Sequence, residues 1–171
     1  MRGLSFIADG EFFTVDVTLV QKVAGNMTVT PVLTAPDTVA GIANIKGRVV
    51  TVLSLTALLG RNSEQEKREK TAHTVNAVIF KSFTDGSDQM GLLIDKPGDL
   101  IDISEDKIMP LSLKTGTNAE PEEKLCLSGM AETDGQLYRI VNVDSIINRF
   151  KHSGEYYADA TISISKGGSD K

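Results

Sequence analysis

The 171-residue sequence has no tryptophan, one cysteine and two histidines, and each shortage removes a class of chemistry. With Cys126 alone, no internal disulfide can form, which fits a reducing compartment. One cysteine and two distant histidines, His73 and His152, cannot assemble a structural zinc site of familiar ligand spacing. Both histidines sit among polar residues. No scaffold is evident there to hold either as the base of a Ser-His-Asp arrangement, so they read as solvated surface groups. Cys126 lies between Leu125 and Leu127 and reads as a small buried hydrophobe rather than a nucleophile. Neither the phosphate-cradling loop nor the dinucleotide glycine pattern occurs. The sequence therefore offers no catalytic residue, no metal ligand set and no cofactor site.

Other shortages narrow the partners. Three Tyr, six Phe and a net charge of −5 supply neither a base-stacking platform nor the basic face that phosphates require, so no nucleic acid is expected. Ten Asp or Glu stand against five Lys between Lys81 and Lys124, without the spacing of a calcium loop; they read as a solvated face. The longest apolar run, Val49 to Leu59, is broken by Thr51, Ser54 and Thr56 and falls short of the roughly 20 residues that span a bilayer. The start, Met1-Arg2-Gly3-Leu4, turns polar by Asp9 and Glu11, unlike a secretory signal. Asn26-Met27-Thr28 matches a glycosylation sequon but reads as chance without such a signal. A soluble protein without direct membrane insertion is the expectation.

What the chain has in quantity is strand signal. Asp-Gly occurs at Asp9-Gly10, Asp85-Gly86 and Asp134-Gly135, each between apolar, β-branched or aromatic runs, and so predicts three hairpins. Further strands are predicted over Met27 to Val32, Ile42 to Ile45, Arg48 to Leu55 and Leu100 to Ile103. Short helices are predicted over Thr18 to Ala24, where Leu19, Val20 and Val23 keep helical spacing, over Thr56 to Leu59, and over Ser145 to Phe150 capped by Asp144. Some ten short strands with frequent turns suggest barrels or a sandwich.

A weak internal repeat points to two copies of one small barrel. A hairpin with an Asp-Gly turn opens each half, and an apolar strand running into a short helix closes it: Val52 to Leu55 then Ala57-Leu58-Leu59, and Val141 to Asp144 then Ile146-Ile147. The boundary is placed in the charged run Arg61 to Lys70, where Ser63 and Glu66 fit a capping box and a solvated linker fits equally. Residues 114–124 read as an exposed loop. Residues 151–171 read as a largely disordered tail in which Thr161 to Ile164 alternate as an edge-pairing strand would.

The most specific stretch, Pro31 to Leu55, reads Pro-Val-Leu-Thr-Ala-Pro-Asp-Thr-Val-Ala-Gly-Ile-Ala-Asn-Ile-Lys-Gly-Arg-Val-Val-Thr-Val-Leu-Ser-Leu. Ile42 to Ile45 reads as one strand, Lys46-Gly47 as the turn, and Arg48 onward as the return strand. This stretch resembles the signature of CheW-like chemotaxis coupling proteins, in which a proline-containing approach leads to Gly-Val-Ile-Asn-Leu-Arg-Gly and then to a strand ending in Asp-Leu-Arg. The resemblance runs from about Leu4 to Phe150. It takes in Leu19-Val20-Gln21-Lys22-Val23, Met90 to Asp95, Ile108-Met109-Pro110, Leu127 to Met130, and Val141 to Asp144.

The resemblance implies a mainly β fold of two five-stranded SH3-like or OB-like barrels sharing a hydrophobic seam, in one domain over residues 1–150. The first barrel would span about 12–72 and the second about 73–140, with terminal segments crossing between them. It implies no enzyme. The implied role is a cytoplasmic adaptor joining the regulatory domain of a CheA-type histidine kinase to the cytoplasmic tip of methyl-accepting receptors, recruited to membrane-associated arrays. Carried over position by position, the partner-binding residues are Val20, Gly41, Asn44, Lys46, Gly47 and Arg48. The sequence departs from the family at three places: Lys46 stands for the turn Arg, which loses the planar fork, Ser54 for the Asp, and Thr56 for the Arg. Those departures suit a paralogue of a pilus or developmental pathway. The other readings are a generic β-barrel module that binds peptides or proteins and, from another class, a nucleic-acid-binding barrel.

Overall fold

A computed structural model describes residues 1–61, 71–82, 89–111 and 125–150. Eleven strands among them form two sheets. The first sheet holds β3 (Val20–Val29), β4 (Val39–Ile45), β5 (Arg48–Ser54), β6 (His73–Phe80) and β7 (Gln89–Ile94) in the order β3-β6-β7-β5-β4. Its outer strands meet. Thr30 and Ile42 exchange two backbone hydrogen bonds of 2.8 and 2.9 Å, which close the sheet into a barrel. The second sheet holds β1 (Arg2–Ala8), β2 (Glu11–Asp16), β8 (Lys96–Asp102), β9 (Ile108–Pro110), β10 (Leu127–Thr133) and β11 (Gln136–Val141) in the order β8-β1-β2-β11-β10-β9. Among the described residues no bridge joins β8 to β9, so this sheet remains a half-barrel.

The repeat seen in the sequence is present, with an exchange. Reading β3-β6-β7-β5-β4 against β8-β1-β2-β11-β10, each sheet has two antiparallel pairs, one parallel pair and a further antiparallel pair. The opening hairpin of each half, however, sits in the other half's sheet. β1–β2 joins β8 and β11, and β6–β7 joins β3 and β5. This corrects the partition at residue 72: residues 73–94 complete the first sheet, and the chain crosses between sheets beside Asp95. Asp95 anchors the crossing. Its N–H donates to the Ile7 carbonyl at 2.8 Å, and its Oδ2 accepts from the Asp9 N–H at 2.7 Å.

Strand alternation puts one face of the exchanged hairpins inside a sheet and the other in the seam. From β6, Ala77 and Ile79 enter the barrel core with Val29, Val50 and Val52, while Val78 and Phe80 enter the seam. From β1, Leu4, Phe6 and Ala8 enter the seam. There they meet Phe13, Leu53, Leu92, Val141 and residues of both closing helices, α1 (Leu55–Leu58) and α2 (143–150). The Phe6 and Phe13 rings stack at 5.7 Å between centroids. The half-barrel's own core is small, built on Ile103, Ala131 and Ile140. Most of the large buried side chains thus lie where the sheets meet.

Several local expectations change. The helix expected over Thr18 to Ala24 is a short 3-10 turn, Val17–Leu19, followed by β3. Pairing of Val20 with Phe80 and Val23 with Val78 overrides the helical spacing. The cap of α2 is Asn142, whose Oδ1 accepts the Ser145 N–H at 3.1 Å, and Asp144 is an exposed residue within the helix. Two Asp-Gly hairpins are present, with positive φ at Asp9, Gly10, Asp134 and Gly135. Asp85-Gly86 lies outside the described residues, as do the charged run 62–70, the loop 114–124 and the tail. Cys126 is fully buried in the seam, as expected.

Candidate docking surface

The β4–β5 hairpin carries most of the residues singled out in the sequence. Ile45 pairs with Arg48, so Lys46 and Gly47 form a two-residue turn. Their φ angles are 51° and 80°, the pattern of a type I′ turn that matches strand twist. The Asn44 Oδ1 accepts the Gly47 N–H at 2.9 Å and holds the turn from within. Gly47 meets the positive φ without strain. Lys46 does not: a left-handed residue with a Cβ costs about 1–2 kcal/mol. The other two described turns of this shape place Asp at the same position, where its short polar side chain suits left-handed backbone. Here a lysine occupies the strained position, exposed and with no ion pair among the described residues.

Arg48 is exposed beside it. On the outer face of the hairpin, the pairs Asn44–Val49 and Ile42–Thr51 bring Ile42 and Val49 to the surface, 38% and 55% exposed. The sequence reading missed these two. The signal was present, since Gly41 and Ala43 face inward and Ile42 must then face out. The tip thus combines two cations with a small apolar face, a surface suited to an acidic, partly apolar protein partner.

Two of the six candidate positions have other duties. Gly41 is buried under the barrel closure: a Cβ there would lie 2.4 Å from the Thr30 carbonyl oxygen and 2.6 Å from a Val29 methyl. Val20 is half-buried against the seam core and pairs with Phe80. It is not at the hairpin tip, yet it shares a rim with it, because β3, β5 and β7 begin where β4 and β6 end. Along that rim Gln89 donates to Gln21 and to the Phe80 carbonyl. Lys22 is exposed there, and Lys81 donates to the Thr18 carbonyl at 2.8 Å. The hairpin therefore unites Asn44, Lys46, Gly47 and Arg48, the rim adds Val20, and Gly41 belongs to the architecture.

The departures at Ser54 and Thr56 fall in the seam. Both are buried; the Ser54 Oγ accepts the Ala57 N–H at 3.2 Å, capping α1, and lies 3.4 Å from the Thr56 hydroxyl. Across the outside of the joint, Glu11 on β2 takes Arg61, which follows α1, and Arg139 on β11 at 3.3 Å. A carboxylate thus ties the two sheets together on the surface.

Two small sheets packed on one buried seam, one of them closed into a barrel, define the class: a mainly β, barrel-containing fold. The comparisons then fix the family. Residues 2–151 match the CheW-like domain family, and the chain belongs to it. It is 27% identical over 144 residues to the chemotaxis protein CheW of Thermotoga maritima, covering 84% of this chain and 85% of that protein. It is 27% identical over 143 residues to the chemotaxis protein CheW of Rhizobium meliloti, covering 84% of each. The crystal structure of the scaffolding protein TtCheW from Thermoanaerobacter tengcongensis superposes with a TM-score of 0.65 at 22% identity, over 83% of this chain and 88% of that one, and shares the fold. The family is one of scaffolding adaptors in chemotaxis, not of enzymes. No helix among the described residues is long and apolar enough to cross a membrane.

Proposed function

We propose that this protein is a coupling adaptor that holds the regulatory domain of a CheA-type histidine kinase against the cytoplasmic tip of methyl-accepting receptors. It works by simultaneous binding, with no turnover, in the cytoplasm at membrane-associated receptor arrays. Each contact need only be modest, because tethering within an assembly raises effective concentration. The Lys46–Arg48 tip orients an acidic partner, and the apolar rim by Val20 adds contact area. The observation that carries this reading is Lys46 itself: a cation kept at a strained turn position, with φ of 51°, where the other described turns hold Asp.

The test is a Lys46→Glu exchange with purified kinase regulatory domain and a receptor-tip fragment, read by titration calorimetry at two salt concentrations. Binding to one of the two should weaken by tenfold or more, with the circular dichroism spectrum unchanged. Equal affinity for both partners before and after the exchange would remove the docking role of the turn.

A further inference from the structure

Among the described residues, the half-barrel leaves one long strand edge unpaired. β8 pairs with β1 on one side only, and all its residues except Ile101 are exposed. Met1 and Ile103 exchange both backbone hydrogen bonds at 2.8 Å. Bonded pairs alternate in an antiparallel ladder, so Gly3–Ile101 is the next. The N–H and C=O groups of Leu100 and Asp102 therefore point away from β1, into open edge. In the barrel, the corresponding strand β3 runs directly into the Thr30–Ile42 bridge to β4; here the chain reaches β10 only through Ile108–Pro110, after the turn at 103–107, and among the described residues no strand pairs with the outer side of β8.

An open edge of this length is a pairing template unless charge or shape blocks it. Leu100, half exposed, and Asp102 lie on one face, because their cross-strand partners are Leu4 and Arg2. The Asp102–Arg2 pair is long, 3.9 Å, and the Asp102 side chain is 87% exposed, so its carboxylate is available to a better partner. A second copy pairing here with Leu100 facing Leu100 would set Asp102 opposite Gly98 and leave its carboxylate without a cation. A strand carrying a cation is favoured instead.

We propose that the β8 edge is a strand-addition site for an extended segment of a partner protein carrying a cation. The segment runs antiparallel, and its main chain bonds Leu100 and Asp102. Antiparallel order puts the residue facing Asp102 two places before the one facing Leu100. The segment thus reads cation, any residue, aliphatic. The site lies on the other sheet from the β4–β5 turn and does not depend on the role of Lys46.

The probe is a nine-residue acetylated peptide of alternating threonine and valine, with lysine two residues before an isoleucine. A twin carries glutamate for the lysine. Residue-resolved amide exchange on the full chain should show fast exchange at Leu100 and Asp102 and slow exchange at Ile101. The lysine peptide should slow Leu100 and Asp102 at least tenfold and leave Ile101 unchanged. Asp102→Lys should weaken the lysine peptide at least fivefold and strengthen its twin. Leu100→Pro removes only an outward N–H, so it should abolish binding of both while the spectrum of the fold persists. The proposal fails if a saturating peptide slows neither amide. It fails if both are already slow in the dilute chain alone, which would mean that the chain covers its own edge. It also fails if they slow with protein concentration in the absence of peptide, which would mean that a second copy does.

Discussion

Lys46→Asn separates the turn's architecture from its use, because the two should move in opposite directions. At φ of 51° a lysine bears a backbone penalty of about 1–2 kcal/mol. Asparagine suits left-handed backbone, and Asn-Gly is the favoured type I′ pair, so the exchange should recover roughly 0.5–1 kcal/mol. For a domain of this size that raises Tm by about 1–4 °C. Nothing offsets the gain, since the lysine is exposed and makes no ion pair among the described residues. Binding should suffer, because a hydrogen bond to a charged group contributes about 1.5–3 kcal/mol, or roughly tenfold or more in affinity. The assays are urea unfolding, where the midpoint should rise at constant slope, and calorimetric titration with kinase and receptor fragments. A lower midpoint would show that Lys46 serves packing. A higher midpoint with unchanged affinities would show that the tip is an ordinary turn carrying a misplaced residue.

Two further perturbations test the frame around that tip. Gly41→Ala should destabilise by about 3 kcal/mol or more, because its Cβ would meet the Thr30 carbonyl at 2.4 Å where the barrel closes. Gly47→Ala has open space around it at φ of 80° and should cost only about 1 kcal/mol of backbone strain, with both midpoints read in one urea series. Phe13→Ala removes a fully buried ring stacked on Phe6 in the seam and should cost about 3–5 kcal/mol. It should lower the exchange protection of both sheets together, and loss confined to one sheet would contradict a shared core.

The hairpins were readable because turn chemistry is local. Asp9-Gly10, Asp134-Gly135 and Lys46-Gly47 each name a turn whose backbone they can adopt, and strand parity then follows from where the turn lies. The segment Leu19-Val20-Val23 was misread because its spacing is compatible with a helix, and only pairing with Phe80 and Val78 makes it a strand. The exchange of hairpins was legible only in outline, through the resemblance that implied terminal segments crossing between the barrels. β6–β7 presents two apolar faces, one for the barrel core and one for the seam, while β1–β2 puts Leu4, Phe6, Ala8, Phe13 and Val15 in the seam and carries the buried polar Ser5 and Thr14 on its other face; nothing local says which sheet receives either hairpin. At the candidate docking surface, Lys46 and Arg48 stood out because an exposed tip cation has no packing role. Gly41 carried the same family resemblance, and only the approach of the Thr30 carbonyl shows what it does.

The exchange has a consequence for an adaptor. Each sheet is completed by strands distant in sequence: Met1 bonds Ile103, Phe13 pairs with Arg139, and Val50 pairs with Gln89. The chain passes between the sheets twice, over Val17–Leu19 and at Asp95, and the sheets cannot part without opening the seam that holds Phe6, Phe13, Leu53 and Leu92. The joint is therefore rigid where two independent barrels on a linker would swing. A scaffold gains from that rigidity, because the effective concentration of one partner for another depends on a fixed span and direction between their sites. The β4–β5 tip lies on the closed barrel and the β8 edge on the half-barrel. Their separation is thus set by the same buried contacts that stabilise the fold, and a seam mutation that loosens the joint should weaken ternary assembly before it weakens either binary contact.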